Sequence, residues 1–167
     1  TKSYVIISDA LRYEVAKELF DEIKQDMQCK VELDHMEGIF PTITPFGMAA
    51  LLPHKELKAD IRNNKLKVLI DGESTDMPNR EKVLKNANEK SRVLKYDDMI
   101  HMKGEERKEL VKGMDVVYIY HDKIDSASHT SDSMVFAACY EAIEEIKNLV
   151  RILVNEFSAV NIFITSD

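Results

Sequence analysis

Short apolar runs separated by long helix-period stretches restrict what this chain can become. Tyr4-Val-Ile-Ile7, Val116-Val-Tyr-Ile-Tyr120 and Ile162-Phe-Ile-Thr165 have strand length and are almost wholly apolar, as strands covered on both faces are. Between them, Leu11, Val15, Leu19 and Ile23 recur every four residues. Val135, Cys139, Ala142, Ile146, Leu149, Leu153 and Phe157 recur at spacings of three and four. Each set lays an apolar stripe along a helix that must be buried against something. Buried-type strands alternating with amphipathic helices fold as a parallel sheet between helical layers. The predicted fold class is therefore α/β, a three-layer αβα sandwich with a mostly parallel sheet.

The same reading assigns the remaining elements. A first strand covers Ser3 to Ser8, and Val31 to Met36 is expected as an edge strand because Glu32 and Asp34 interrupt its apolar residues. Lys67 to Ile70 is a short strand stopped by the Asp71-Gly72 turn signal. Pro78 suits the first turn of a helix with Val83 and Leu84 turned inward. Ser91 to Tyr96 is a strand, followed by one charged helix from about Asp97 that Gly113 caps. Val116 to Tyr120 is expected at the sheet centre, a long helix runs from about Ser131 to Phe157, and Val160 to Thr165 ends the chain as another central-type strand. Residues 40–64 are the least regular stretch, and irregular loops commonly carry function.

The 167 residues, 44% of them hydrophobic, suit one domain. With 30 acidic and 23 basic residues the formal charge is −7, which disfavours non-specific attraction to nucleic acid. Nucleic acid is expected as a partner only through other parts of a longer parent. Cys29 and Cys139 form no C-x-x-C pair and read as reduced thiols of a cytoplasmic protein. No apolar run approaches the roughly 20 residues that cross a bilayer, and the N-terminus has no signal-peptide pattern. No membrane partner is expected. Residues 1–167 are read as one core domain cut from a longer protein.

Chemistry gathers where the strands stop. Asp9 follows the first strand, Asp125 and His129 follow the central one, and Asp167 follows the last. In an open α/β sheet these C-terminal ends share one crevice. Asp9 suits a cation, or equally a helix N-cap for the segment beginning near Ala10. Arg12 can face the crevice and bind phosphate, or pair at the surface. The Asp125-x-x-x-His129 spacing suits two ligands of one zinc-like ion. His121 with Asp122 is an alternative pair, and Asp132 adds a further carboxylate.

Thr44 lies between Pro41 and Pro45 in a segment rigid enough to present a hydroxyl nucleophile. An ordinary turn, with Thr42 and Thr44 bonded to their own backbone, is the competing explanation. Gly47 and Met48 mark a helix start whose N–H groups can bind phosphoryl oxygens. Together these segments point to metal-assisted transfer of a phosphoryl-type group.

Three runs carry a family likeness: Tyr4-Val-Ile-Ile-Ser-Asp-Ala-Leu-Arg-Tyr-Glu-Val-Ala-Lys-Glu-Leu19, Pro41-Thr-Ile-Thr-Pro-Phe-Gly-Met-Ala-Ala-Leu-Leu-Pro53 and Tyr118-Ile-Tyr-His-Asp-Lys-Ile-Asp125. They resemble the PglZ domain of the alkaline phosphatase superfamily, found in bacterial phage-resistance systems of the BREX, or phage growth limitation, type. The resemblance implies an alkaline phosphatase-like core and two divalent metal ions, zinc first, with manganese or magnesium as alternatives. It implies Thr44 as a nucleophile that is phosphorylated and then hydrolysed, and that also touches metal. Asp9 then corresponds to a ligand of the metal beside the nucleophile, Asp125 and His129 to ligands of the other, and Asp167 to the Asp of an Asp-His-Gly motif. Arg12 and Gly47 are the expected substrate contacts.

The superfamily's next His and a later His ligand fall beyond Asp167, so each metal shell is expected to be incomplete here and the chain alone weak or inactive. The implied parent is a phosphatase, phosphodiesterase or nuclease-like enzyme acting on a phosphoester with other defence proteins as partners. The alternative is a catalytically degenerate module that binds a nucleotide or protein. A receiver-like signalling domain, suggested by Asp9 and Asp71 after strands, lacks the acidic pair and the late Lys such a domain needs.

Overall fold

Strand β1 (Ser3–Ser8) is flanked on both sides by parallel partners, β6 (Val116–His121) and β7 (Asn161–Thr165), and β6 is flanked in turn by β5 (Ser91–Lys95). The order is β5-β6-β1-β7. This computed structural model describes residues 1–130 and 132–167, apart from the side chains of Arg62 and Asp132. The register pairs Ser8 with His121 and Ile7 with Thr165. The three strands therefore stop level with one another, and whatever follows each strand emerges at one edge.

Period-two alternation divides the sheet's two faces. Tyr4, Ile6, Val117 and Ile119 share one buried cluster with Leu19 and Ile23 of α1 (Tyr13–Asp26) and Ile143, Ile146, Leu149 and Leu153 of α7 (Asp132–Phe157). Val111 of α5 (Gly104–Val111) and Met99 of α4 (Tyr96–His101) complete that layer. The opposite face carries Ile7 and Tyr120, which pack against Met48 of α2 (Thr44–Ala50). Beyond α2 lies a small antiparallel meander of β2 (Leu57–Arg62), β3 (Lys65–Ile70) and β4 (Glu73–Ser74). Its Val68 and Ile70 join Ala49 and Val83 of α3 (Arg80–Ala87) in a second apolar cluster. Ile6, Ile7 and Ile119 are fully buried, and each contributes roughly 2 kcal/mol by leaving water.

The α/β sandwich with a parallel central sheet agrees with the fold class expected. Several elements differ. Residues 31–36 form no strand: Val31 and Leu33 are half-buried while Glu32 and Asp34 face water, but among the described residues no ladder partner lies alongside. Side-chain alternation alone does not make a strand; backbone pairing does. The run at 67–70 is a strand, but of the antiparallel meander and not of the main sheet. β7 is an edge strand, not a central one, and Phe163 is 60% exposed. The charged helix is two helices, α4 and α5, separated where Met102 turns extended and the Glu106 side chain accepts the Lys103 N–H at 3.0 Å. Gly113 ends the second at φ +72°. The expected start of the long helix at Ser131 lies outside the described residues. Among the described residues no helix is long and apolar enough to cross a membrane.

Candidate active site

Asp9 leaves β1 through a tight turn. Its N–H donates to the His121 carbonyl at 2.8 Å, and Leu11 N–H donates to the Ser8 carbonyl at 3.2 Å. Ala10 takes φ 62°, a left-handed conformation that a residue with a Cβ adopts at some cost. That twist aims the Ala10 N–H at Asp167 Oδ1, 3.3 Å away. Helix α1 begins only at Tyr13, with Arg12 in the N-cap position. Asp9 is therefore not the cap of that helix, and its carboxylate faces the strand ends.

An open crevice of about 250 Å³ lies at this edge, lined by Asp9, Arg12, Thr44, Gly47, Asp125 and Asp167, with Ile39 and Thr42 on its loop side. Asp125 reaches it from α6 (Lys123–Ser128), the helix after β6. Thr44 is the first residue of α2, followed by Pro45, whose missing N–H costs nothing in a first helical turn. Thr44 is exposed, and among the described residues its hydroxyl has no hydrogen-bond partner. The turn in which it bonds its own backbone is not formed.

Six of the seven residues singled out from sequence thus line one crevice. His129 does not. It ends α6 with its side chain 78% exposed, and its Nε2 lies 3.4 Å from Asp125 Oδ2 on the outer side.

Gly47 has a role that sequence spacing did not reveal. A Cβ at this position would stand 2.6 Å from the Asp167 Cβ and 3.1 Å from its Cα. Only a glycine lets α2 close on the end of β7. The Gly47 N–H is already spent on the Ile43 carbonyl at 3.0 Å, within the first turn of the helix.

Burial is the largest cause raising Asp9 from the ordinary carboxyl range to about 7. The Asp167 charge, a hydrogen bond shared with Asp167 and the Asp125 charge push the same way, while Arg80 opposes them. Asp9 therefore keeps its proton at pH values where an ordinary carboxyl has lost it. Crowded carboxylates of this kind offer hard oxygen donors, and a divalent cation would relieve their repulsion. Their chemistry fits such an ion. Their arrangement is incomplete: among the described residues no group of three or more His, Cys, Asp or Glu is set to hold a metal.

His121, offered by sequence as an alternative ligand beside Asp122, is committed elsewhere. It is buried, with Nδ1 2.9 Å from Ser8 Oγ and Nε2 2.8 Å from Glu145 Oε2. Tyr96 packs edge-on against its ring at 5.1 Å. Its carbonyl holds the Asp9 N–H, so this ring anchors the turn that carries Asp9. The signal was present in the sequence, since period two from Val117 and Ile119 turns His121 towards the α1–α7 layer.

The BREX system PglZ alkaline phosphatase-like domain is the family whose model matches this chain, over residues 1–167. The chain belongs to the PglZ family. The PglZ domain is 41% identical over 167 residues to the alkaline phosphatase-like protein BrxZ of Escherichia coli O9:H4 (strain HS), covering 98% of this chain and 19% of that protein. It is 35% identical, with the same coverage, to the alkaline phosphatase-like protein PglZ of Bacillus cereus (strain H3081.97). The domain thus spans about a fifth of the length of these curated relatives. No solved structure matches it. The α/β sheet described above is consistent with the alkaline phosphatase-like core that the family description names.

Proposed function

We propose that this PglZ domain is the core of a metal-dependent phosphohydrolase, a phosphatase, phosphodiesterase or nuclease-like enzyme that serves bacterial phage defence in the cytoplasm. The observation that carries the reading is the meeting of the exposed Thr44 hydroxyl with Asp9, Asp125 and Asp167 in one crevice. The Thr44 oxygen attacks phosphorus, its proton passes to solvent or a crevice carboxylate, and the bond to the leaving oxygen breaks. Water then hydrolyses the phosphothreonine and restores the hydroxyl. Arg12, at the crevice wall, binds phosphoryl oxygens.

Asp9, Asp125 and Asp167 would hold part of the shells of two divalent ions, zinc first, manganese or magnesium otherwise. Thr44 adds its oxygen, and His129 would join only after a change in its side-chain direction. Bound there, such ions supply charge stabilisation to the transferring phosphoryl group. The remaining ligands belong to the longer parent, whose other components of the BREX system are the proposed partners. Nucleic acid is a proposed partner only through that parent.

In the full-length protein with zinc, manganese or magnesium supplied, Thr44→Ala is expected to lower hydrolysis of a chromogenic phosphodiester by at least about a thousandfold. Thr44→Ser should retain part of it. Equal rates for wild type and Thr44→Ala would remove Thr44 from its role. A second reading, a degenerate module that binds a nucleotide or protein without turnover, is favoured by the absence of a ready three-ligand group among the described residues. No hydrolysis by the full-length wild type with any of the three metals would select it.

A further inference from the structure

The sheet stops short of the residues that matter most. The ladder between β1 and β6 ends at the Ser8 and His121 pair, so Asp9 stands one residue beyond it and Asp125 four residues beyond. A side chain of α7 takes over from there. Glu145 accepts a bond from His121 Nε2 at 2.8 Å through Oε2, and its Oε1 lies 3.5 Å from Lys123 Nζ. The His121 side chain is 1% exposed and that of Glu145 28%. The first contact therefore lies largely out of water, where a bond to a carboxylate counts for more.

Each contact leads to a different carboxylate of the crevice. A carboxylate oxygen only accepts, so Nε2 carries the ring proton, and Nδ1 of the neutral imidazole accepts the Ser8 hydroxyl at 2.9 Å. Ser8 ends β1, its carbonyl accepts the Leu11 N–H, and the His121 carbonyl holds the Asp9 N–H. Glu145 thus grips the Asp9 turn through one ring, which Tyr96 keeps from swinging. Lys123 opens α6, the helix that carries Asp125 two residues later. Glu141, one turn earlier on α7, pairs with Lys123 as well. Of these two carboxylates only Glu145 also reaches His121 among the described residues.

We infer that Glu145 is a positioning residue: it ties the Asp9 turn and α6 to one point on α7 and so sets how far apart the Asp9 and Asp125 carboxylates stand in the crevice. Glu145 does not line the crevice, so it acts through His121 and Lys123 and touches no ligand itself. The inference rests on the proposed metal-dependent reading only for what that spacing serves, the presentation of the two carboxylates to divalent cations. Groups that orient a metal ligand typically cost about ten- to a hundredfold in affinity when removed.

The test compares Glu145→Leu, Glu145→Gln and Glu141→Leu with wild type in the full-length protein. Hydrogen exchange read by mass spectrometry, without metal, follows the amides of Asp9 to Leu11 and those of α6. Glu145→Leu should speed exchange in the Asp9 turn at least about tenfold. In α6, where Glu141 still holds Lys123, it should speed exchange about threefold. Glu141→Leu should speed α6 alone. Glu145→Gln keeps an acceptor for Nε2 and should return the Asp9 turn to within about twofold of wild type. Manganese(II) binding by calorimetry should weaken at least about tenfold in Glu145→Leu and recover most of that loss in Glu145→Gln.

A merely structural glutamate would speed exchange across the domain, the meander of β2, β3 and β4 included, or would leave the manganese affinity of the folded protein unchanged. Either result overturns the inference. So does a Glu145→Leu pattern that matches Glu141→Leu, since the Asp9 turn would then be held elsewhere. If Glu145→Leu does not fold, Ser8→Ala decides, because it cuts the same path beyond the ring: unchanged exchange in the Asp9 turn sinks the inference. The two readings fail separately. A wild type that binds no manganese, with the exchange pattern intact, sinks the metal-dependent reading alone, whereas bound manganese without that pattern sinks the inference alone.

Discussion

Two places in this domain gather three carboxylates each, and they have opposite electrostatics. On the α1–α7 face, Glu22, Asp26 and Glu144 surround the Lys147 ammonium at 2.7, 2.7 and 3.2 Å, with the lysine side chain 6% exposed. Bonded to all three, Lys147 is held above the ordinary lysine range, and Asp26 is held below the ordinary carboxyl range by its bond to Lys147. At the strand ends, among the described residues, no Lys or Arg forms an ion pair with Asp9, Asp125 or Asp167, and Asp9 rises to about 7. One cluster is closed by the chain itself. The other is left open at a cost in stability, which is how binding sites differ from structural ones.

Removing the lysine breaks the contrast most severely. Lys147→Met leaves three carboxylates facing one another, and a loss of about 2–3 kcal/mol is expected, read as a lower midpoint in urea unfolding of the 167-residue chain. An unchanged midpoint would mean that solvent already screens the cluster.

Asp9 sharpens the contrast from the other side. Between about pH 4 and pH 7 the unfolded chain releases the Asp9 proton while the folded chain keeps it, so the contribution of Asp9 to stability falls across that window and is level outside it. Asp9→Asn removes this dependence. After allowance for solvent screening at a half-exposed group, it should stabilise the chain by about 1–2 kcal/mol at pH 8 and by almost nothing near pH 4. A divalent cation added at pH 8 should raise the wild-type melting temperature and leave Asp9→Asn nearly unmoved. Asp26 runs in the reverse sense: its contribution is present above the ordinary carboxyl range and is lost as pH falls through its lowered value. Acid therefore weakens the lysine cluster while it relaxes the crevice. Matching slopes in wild type and Asp9→Asn between pH 4 and 7 would show that no proton is held there.

His129 marks the smallest effect. Its contact with Asp125 is long and exposed, so His129→Ala should change stability by less than about 0.5 kcal/mol. A larger drop in melting temperature would place the imidazole inside the site after all.

Much of this contrast could be read in the sequence, and the unread part has a common cause. Strand ends are visible because apolar runs stop at Asp9 and shortly before Asp125, and parallel topology then makes those ends neighbours. The position of β7 was misread because an apolar run reports coverage of a strand's faces and carries no information about its ladder partners. Residues 31–36 failed for the same reason in reverse. His129 follows Asp125 at a ligand-like interval, but the α6 turn carries its ring outward. Lys147 carries no sequence signal of its role, since only the packing of α1 against α7 brings Glu22 and Asp26 to it. Arg80 gave no signal of its stacking on Tyr120, forty residues away in sequence, because the two meet only where the start of α3 comes against β6.

The close approach of α2 to the end of β7, where a Cβ on Gly47 would stand 2.6 Å from the Asp167 Cβ, sets a timetable. Thr44 is made early in synthesis and Asp167 more than a hundred residues later, yet α2 seats against the end of the last strand. A nascent chain that has shown the ribosome's exit only its first hundred residues holds the threonine and one carboxylate with nothing to close them. Asp9, Thr44 and Asp167 therefore meet only once β7 has been made and seated against α2.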